Sequence, residues 1–103
     1  MRKYETLILL SPELTDEERQ GILDNLSGII TREGGQGLIL DTWGMRELAY
    51  PVRKLMRGFY VRFEYGAPPP AIAEFERNIR IAEGILKFVT VKLADTYAVE
   101  EAA

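Results

Sequence analysis

Asp16, Glu17 and Glu18 form the longest run of acids in the chain, and neighbouring carboxylates are one means of moving protons in catalysis. They follow Thr15 directly, and Thr15 with Glu18 three residues on forms a capping box. The acids therefore read as the first turn of a helix, where they complement its dipole. The other groups that do chemistry near neutral pH are missing, since the sequence holds no histidine and no cysteine. That removes the usual general base, the thiol nucleophile and any thiolate metal site. Gly34-Gly35-Gln36-Gly37 is glycine-rich and Lys54 or Arg57 could meet a phosphate. The strand, glycine loop and helix with Gly-Lys-Ser/Thr that such a site requires is not there, so the glycines read as a turn. No catalytic residue, metal, cofactor or small-molecule substrate is assigned.

The stretch RGFYVRFEY, Arg57 to Tyr65, nearly spells the signature with which RNA-recognition domains stack bases. That signature places a small residue between its two stacking aromatics, and here Phe59 and Tyr60 are adjacent. Neighbours in a strand point to opposite faces. Phe59, Val61, Phe63 and Tyr65 thus share an apolar face suited to a core, while Tyr60, Arg62 and Glu64 share the other. The two aromatics therefore cannot lie on one stacking platform, and the mixed face is left to be explained.

A chain of 103 residues with 47% hydrophobic content suits one compact domain. The start, MRKYETLILL, is basic and then apolar, but Ser11-Pro12-Glu13 cuts the run short, so it reads as a strand rather than a signal peptide. No apolar run approaches the roughly 20 residues of a membrane span, and without cysteines the expected compartment is the cytoplasm. The net charge of −3 argues against a polyanion binder taken whole, yet the charges are segregated. Between Ser11 and Glu33 six acids face two bases, whereas Arg46, Arg53, Lys54, Arg57 and Arg62 cluster further on. An acidic helix opposite a basic remainder permits a one-sided polyanion surface.

Periodicity supplies the elements that must position these groups. Tyr4 to Leu10 is extended, and Thr15 opens a helix whose stripe of Ile22, Leu23, Leu26, Ile29 and Ile30 recurs at helical spacing. Gly34-Gly35 ends it. Gly37 to about Leu48 reads as a second strand with Gly44 as a bulge, and Arg57 to Tyr65 as a third, joined by a hairpin with a long tip containing Tyr50-Pro51. Prolines 68 to 70 introduce a second helix with Ile72, Phe75 and Ile79 inward, Gly84 stops it, and Ile85 to Leu93 is a fourth strand. The spacing predicts helices over 15–33 and 70–81, a single domain over 1–94, and a mobile acidic tail over 95–103.

The order βαββαβ implies an α+β fold of the ferredoxin-like plan, a four-stranded antiparallel sheet with both helices on one face. The other face stays bare. Leu7, Leu9 and Tyr60 fall on it with Arg62, and Leu86 and Phe88 cannot share a face with Val89 and Val91, so apolar groups gather where a protein partner could cover them.

The segment TWGMRELAYPVRK, Thr42 to Lys54, resembles the bacterial small-subunit ribosomal protein six family, whose second strand ends in Arg-x-Leu-Ala-Tyr-Pro-aliphatic followed by basic residues. The resemblance runs from Arg2-Lys3-Tyr4-Glu5 through Gly58-Phe59-Tyr60 to Asn78-Ile79-Arg80-Ile81 and Val91-Lys92. It implies a non-enzymatic component of the small ribosomal subunit that binds small-subunit ribosomal RNA together with ribosomal protein eighteen. By position it implies RNA contact at Arg2, Lys3, Arg46, Tyr50, Arg53, Lys54 and Lys92, and a partner surface at Leu7, Leu9, Tyr60 and Arg62. The chain departs from the family at Met45 and Glu47, where bases are common, so fewer direct phosphate contacts are expected there. The same element order also builds small-molecule-sensing homodimers, which is the alternative reading. An acylphosphatase-type enzyme would need an arginine where Ser11-Pro12-Glu13 stands and an asparagine on the second strand, and neither is present.

Overall fold

A computed structural model describes residues 2–94; the tail expected over 95–103 lies outside the described residues. The elements are β1 (Arg2–Leu10), α1 (Asp16–Arg32), β2 (Gln36–Val52), β3 (Leu55–Ala67), α2 (Pro69–Ile81) and β4 (Ile85–Ala94). The strands pair antiparallel throughout, in the order β2-β3-β1-β4. This is the ferredoxin-like plan, with β2 and β4 as the sheet edges.

Local chemistry explains the helices. Thr15 accepts a hydrogen bond from the Glu18 backbone N–H at 3.1 Å, and the Glu18 carboxylate accepts one from the Thr15 N–H at 2.9 Å. Two of the orphan donors at the helix start are thereby satisfied. Leu23, Leu26, Ile29 and Ile30 turn inward from α1. In α2 prolines occupy the first helical positions, where a missing N–H costs nothing, and Ala71, Phe75 and Ile79 are buried.

Both helices pack on one face of the sheet. Register sets Tyr4, Thr6, Ile8 and Leu10 of β1 beside Tyr65, Phe63, Val61 and Phe59 of β3. Phe75 meets Phe63 and Tyr65 edge-on, at ring separations of 5.9 and 5.5 Å, a geometry worth about 1 kcal/mol per pair beyond burial. The Tyr65 hydroxyl bonds Thr6 Oγ1 at 2.9 Å, and Thr6 in turn bonds Thr90 Oγ1 at 3.0 Å. Burial pushes the Tyr65 hydroxyl up to about 12. Phe59, at the margin of this core, lies under the Arg19 guanidinium, 3.9 Å from its ring centre. Phe88 joins the helix side and packs on the core, which leaves Val89 and Val91 on the opposite face.

One expectation is overturned. The hairpin has no long tip: β2 runs on through Tyr50 and Pro51 to Val52, which pairs with Leu55 across a turn of two residues, Arg53 and Lys54. Pro51 is tolerated because β2 is an edge strand, and the register between Glu47 and Val52 is irregular. The bulge at Gly44 is present, with φ +89 and a register shift between Thr42 and Gly44. It turns the second half of β2 so that Arg46 stands opposite Gly58.

Candidate functional site

The two-residue turn sets the site. Such turns match the strand twist best when both central residues take positive φ, which is why Asn-Gly is the usual pair. Here Arg53 and Lys54 take that conformation, with φ +50 and +67. Two cations are held, at a conformational cost, at the extreme end of an exposed hairpin.

The remaining cations divide by whether a carboxylate already neutralises them. Lys3, Arg19, Arg32, Arg62, Arg77 and Arg80 each bridge at least one carboxylate. Among the described residues Arg2, Arg46, Arg53, Lys54, Arg57 and Lys87 have no carboxylate bridge, and all of these but Arg2, at the start of β1, stand on the hairpin or at the start of β4. Glu47 is opposite Arg57 in register yet does not bridge it. A pole of unneutralised positive charge therefore exists at one end of a chain whose net charge is −3.

Tyr50 belongs to this pole. It is 58% exposed, and Lys87 Nζ donates to its hydroxyl at 3.0 Å while lying 5.5 Å from its ring centre. The bond and the charge of Lys87 lower the Tyr50 pKa and raise that of Lys87. The contact links the far end of β2 to β4, the opposite edge of the sheet.

The bare face lies alongside. A hollow of about 150 Å³ is lined by Leu7, Leu9, Tyr60, Lys87, Phe88 and Val89. Trp43 stands 6.3 Å from Tyr60, ring centre to ring centre, and Val89 and Val91 are exposed on the same face. Two expected partner residues behave differently from Leu7 and Tyr60. Leu9 is on this face but only 3% exposed; it fills the space left by Gly58, where a Cβ would lie 2.2 Å from Leu9 Cδ1. It supports the surface rather than forming it. Arg62 is surrounded by carboxylates, with Glu5 and Glu64 bonded to its guanidinium and Asp41 accepting at 3.0 Å. Those bonds raise the Arg62 pKa, and Arg62 with Lys3 lowers that of Glu64.

The seven residues expected to contact RNA are not gathered into one site. Arg46, Tyr50, Arg53 and Lys54 share the hairpin end. Arg2 and Lys3 begin β1, and Lys92 lies opposite Tyr4 on β4. The length of β1, roughly 3.3 Å per residue, separates the two groups. Lys3 is also engaged, its ammonium 3.0 Å from Glu64. Conversely Lys87, Arg57 and Trp43 lie outside the site expected from sequence. For Lys87 a signal is present in the alternation of Lys87, Val89 and Val91 along β4.

The chain is thus an α+β sheet protein with a cationic hairpin and an uncovered apolar face, and comparison with known proteins gives its family. Residues 3–92 match the model of the family described as ribosomal protein S6. Small ribosomal subunit protein bS6 of Desulfovibrio desulfuricans is 62% identical over 102 residues, covering 99% of this chain and 100% of that protein. The protein of the same name from Nitratidesulfovibrio vulgaris is 63% identical over the full length of both. The crystal structure of 30S ribosomal protein S6 from Thermotoga maritima superposes with a TM-score of 0.84 at 25% identity, covering 88% of this chain and 86% of that one. The chain belongs to the ribosomal protein S6 family. It is a structural, non-enzymatic protein of the bacterial small ribosomal subunit, and its place is the cytoplasm.

Proposed function

We propose that this protein binds small-subunit ribosomal RNA with its β2–β3 hairpin while ribosomal protein eighteen covers the bare sheet face. The observation that carries the reading is the gathering of Arg46, Arg53, Lys54, Arg57 and Lys87, cations without carboxylate partners among the described residues, at one end of the fold. Phosphate contacts of this kind position a protein on RNA without reading sequence, and folded RNA is recognised largely through shape and backbone. Arg2 and Lys92 at the other end form a secondary contact. Leu7, Tyr60, Trp43 and Val89 supply the apolar area for the partner. Joint binding gains from effective concentration, because each protein helps to hold the other on the RNA.

The test is a titration of a small-subunit RNA fragment with this chain alone, with ribosomal protein eighteen alone, and with both. The chain alone should bind weakly and the pair tightly. Replacing Arg53 and Lys54 with Ala should remove roughly one unit of log–log salt slope for each phosphate that these side chains engage. Tight binding by the chain alone, unchanged by the partner, would remove the cooperative part of the reading.

A further inference from the structure

Between the hairpin turn and the end of α2 lies a cleft of about 310 Å³, lined by Arg53, Ile79, Arg80, Lys87 and Phe88. Its three cations come from three places in the chain: the β2–β3 turn, the last turn of α2 and the start of β4. Arg53 has no carboxylate partner among the described residues. Arg80 reaches Glu76 across 3.6 Å on an exposed helix face, a pairing of little strength. Its guanidinium is held 5.5 Å from the Phe88 ring centre, which limits its freedom beside the cleft. Lys87 spends one of three N–H donors on Tyr50 and keeps two. The group that fits these walls is an anion with several acceptor oxygens.

We propose that this cleft seats one phosphate of the RNA backbone, with Arg53, Arg80 and Lys87 donating to its non-bridging oxygens. The inference rests on the reading that the hairpin end meets RNA, and it extends that contact to Arg80 on α2. The polar side chains lining the cleft are all donors, which suits the acceptor oxygens of a phosphate, and the contact is one of position rather than of sequence. The negative end of the α2 dipole opposes an anion, but the carbonyls of Asn78 and Ile79 already accept from the Ala82 N–H, at 3.1 and 3.3 Å. The last-turn cation Arg80 offsets the remainder. Ile79 and Phe88 form an apolar wall that excludes water on one side, which strengthens a charge-assisted bond.

The test uses the full chain with ribosomal protein eighteen and a small-subunit RNA fragment, comparing Arg80→Gln, Lys87→Gln and Arg80→Lys with the control Arg77→Gln on the same helix. Melting curves confirm that each variant folds. Arg80→Gln and Lys87→Gln should each weaken RNA binding about fivefold at roughly 0.1 M salt and take roughly 0.9 from the log–log salt slope. Arg80→Lys should retain the slope, and Arg77→Gln should match the parent. Titrating the chain with inorganic phosphate, read at the arginine side-chain N–H resonances, separates a free anion from the RNA backbone. If those resonances shift with phosphate but Arg80→Gln leaves RNA binding unchanged, the RNA assignment of the cleft is overturned. If Arg80→Gln has no effect on either probe while Arg53→Ala weakens RNA binding, the cleft proposal fails and the hairpin reading stands. If no variant changes RNA binding, both fail.

Discussion

The turn at Arg53 and Lys54 allows stability and binding to be separated. A residue with a Cβ in the left-handed region costs about 1 kcal/mol, whereas glycine adopts it freely and asparagine at reduced cost. With φ of +50 and +67 at the two central positions, the double replacement Arg53→Asn with Lys54→Gly installs the pair this turn prefers. The variant should be more stable by about 1–2 kcal/mol, a rise in Tm of roughly 4–8 °C per kcal/mol for a domain of this size. The same change removes two cations, so the log–log salt slope of RNA binding should fall by roughly 1.8 if both touch phosphate. A second variant, Arg53→Gln with Lys54→Gln, removes the charge but keeps the backbone cost, and should lose binding without gaining stability. Urea unfolding and RNA titration at several salt concentrations report both quantities. A double Asn-Gly variant no more stable than the parent would refute the claim that these residues hold a costly conformation. An unchanged salt slope would refute their role as phosphate ligands.

Replacing Gly58 with Ala should destabilise the fold by about 1–3 kcal/mol, because the new Cβ would lie 2.2 Å from Leu9 Cδ1; in urea melts the cost should shrink when Leu9→Ala is combined with it. Tyr65→Phe removes a buried bond to Thr6 and should cost about 1 kcal/mol near neutral pH. The Tyr65 hydroxyl is raised to about 12, so its stabilisation is present below the ordinary pKa of 10 and is lost as pH rises through 12. The parent should lose more stability than the Phe variant across that window. Arg62→Met leaves Glu5, Asp41 and Glu64 together with Lys3 alone, at a cost of about 1 kcal/mol after solvent screening. Glu64 is depressed in the parent, so the parent's ion-pair stability is present above the ordinary carboxylate pKa and is lost on acidification. The variant's deficit should therefore narrow as pH falls below about 4.5, and an unchanged deficit at about pH 3 would show that the cluster does not act through charge.

Short-range chemistry makes the elements legible. Thr15 and Glu18 are three residues apart, and the capping box they announce is present in full. The strict alternation of Phe59, Val61, Phe63 and Tyr65 marks the core face of β3, and the sheet register agrees with it. The hairpin tip is not legible in the same way, because Tyr50-Pro51 is a strong turn signal in isolation. Its strand character follows from lying on an edge, which no local pattern reveals. Nor does sequence charge disclose which cations are free. Arg62 and Arg53 look equivalent along the chain, yet Arg62 is surrounded by three carboxylates from β1, β2 and β3, a contact set by the register of three strands. Leu9 likewise sits on the face expected for it, but whether that face is open at Leu9 depends on Gly58, far away in the sequence.

The pairing pattern resolves the apparent conflict between a net charge of −3 and an RNA partner. Charge acts at the scale of the Debye length, about 8–10 Å in physiological salt, whereas the molecule is 41 Å long. At the hairpin tip the sign that matters is therefore the local one. It is set by which cations are already neutralised. Bridges on the bare face, Lys3 to Glu64 and Arg62 to three acids, leave that region closely balanced and with little attraction for a polyanion. The hairpin, without such bridges, attracts one. In the function proposed above, separate surfaces for a protein partner and for RNA would arise from the distribution of carboxylates as much as from that of lysines and arginines. The departure at Glu47 is consistent with this, for it stands opposite Arg57 without bridging it, and Arg57 remains available beside Arg53 and Lys54.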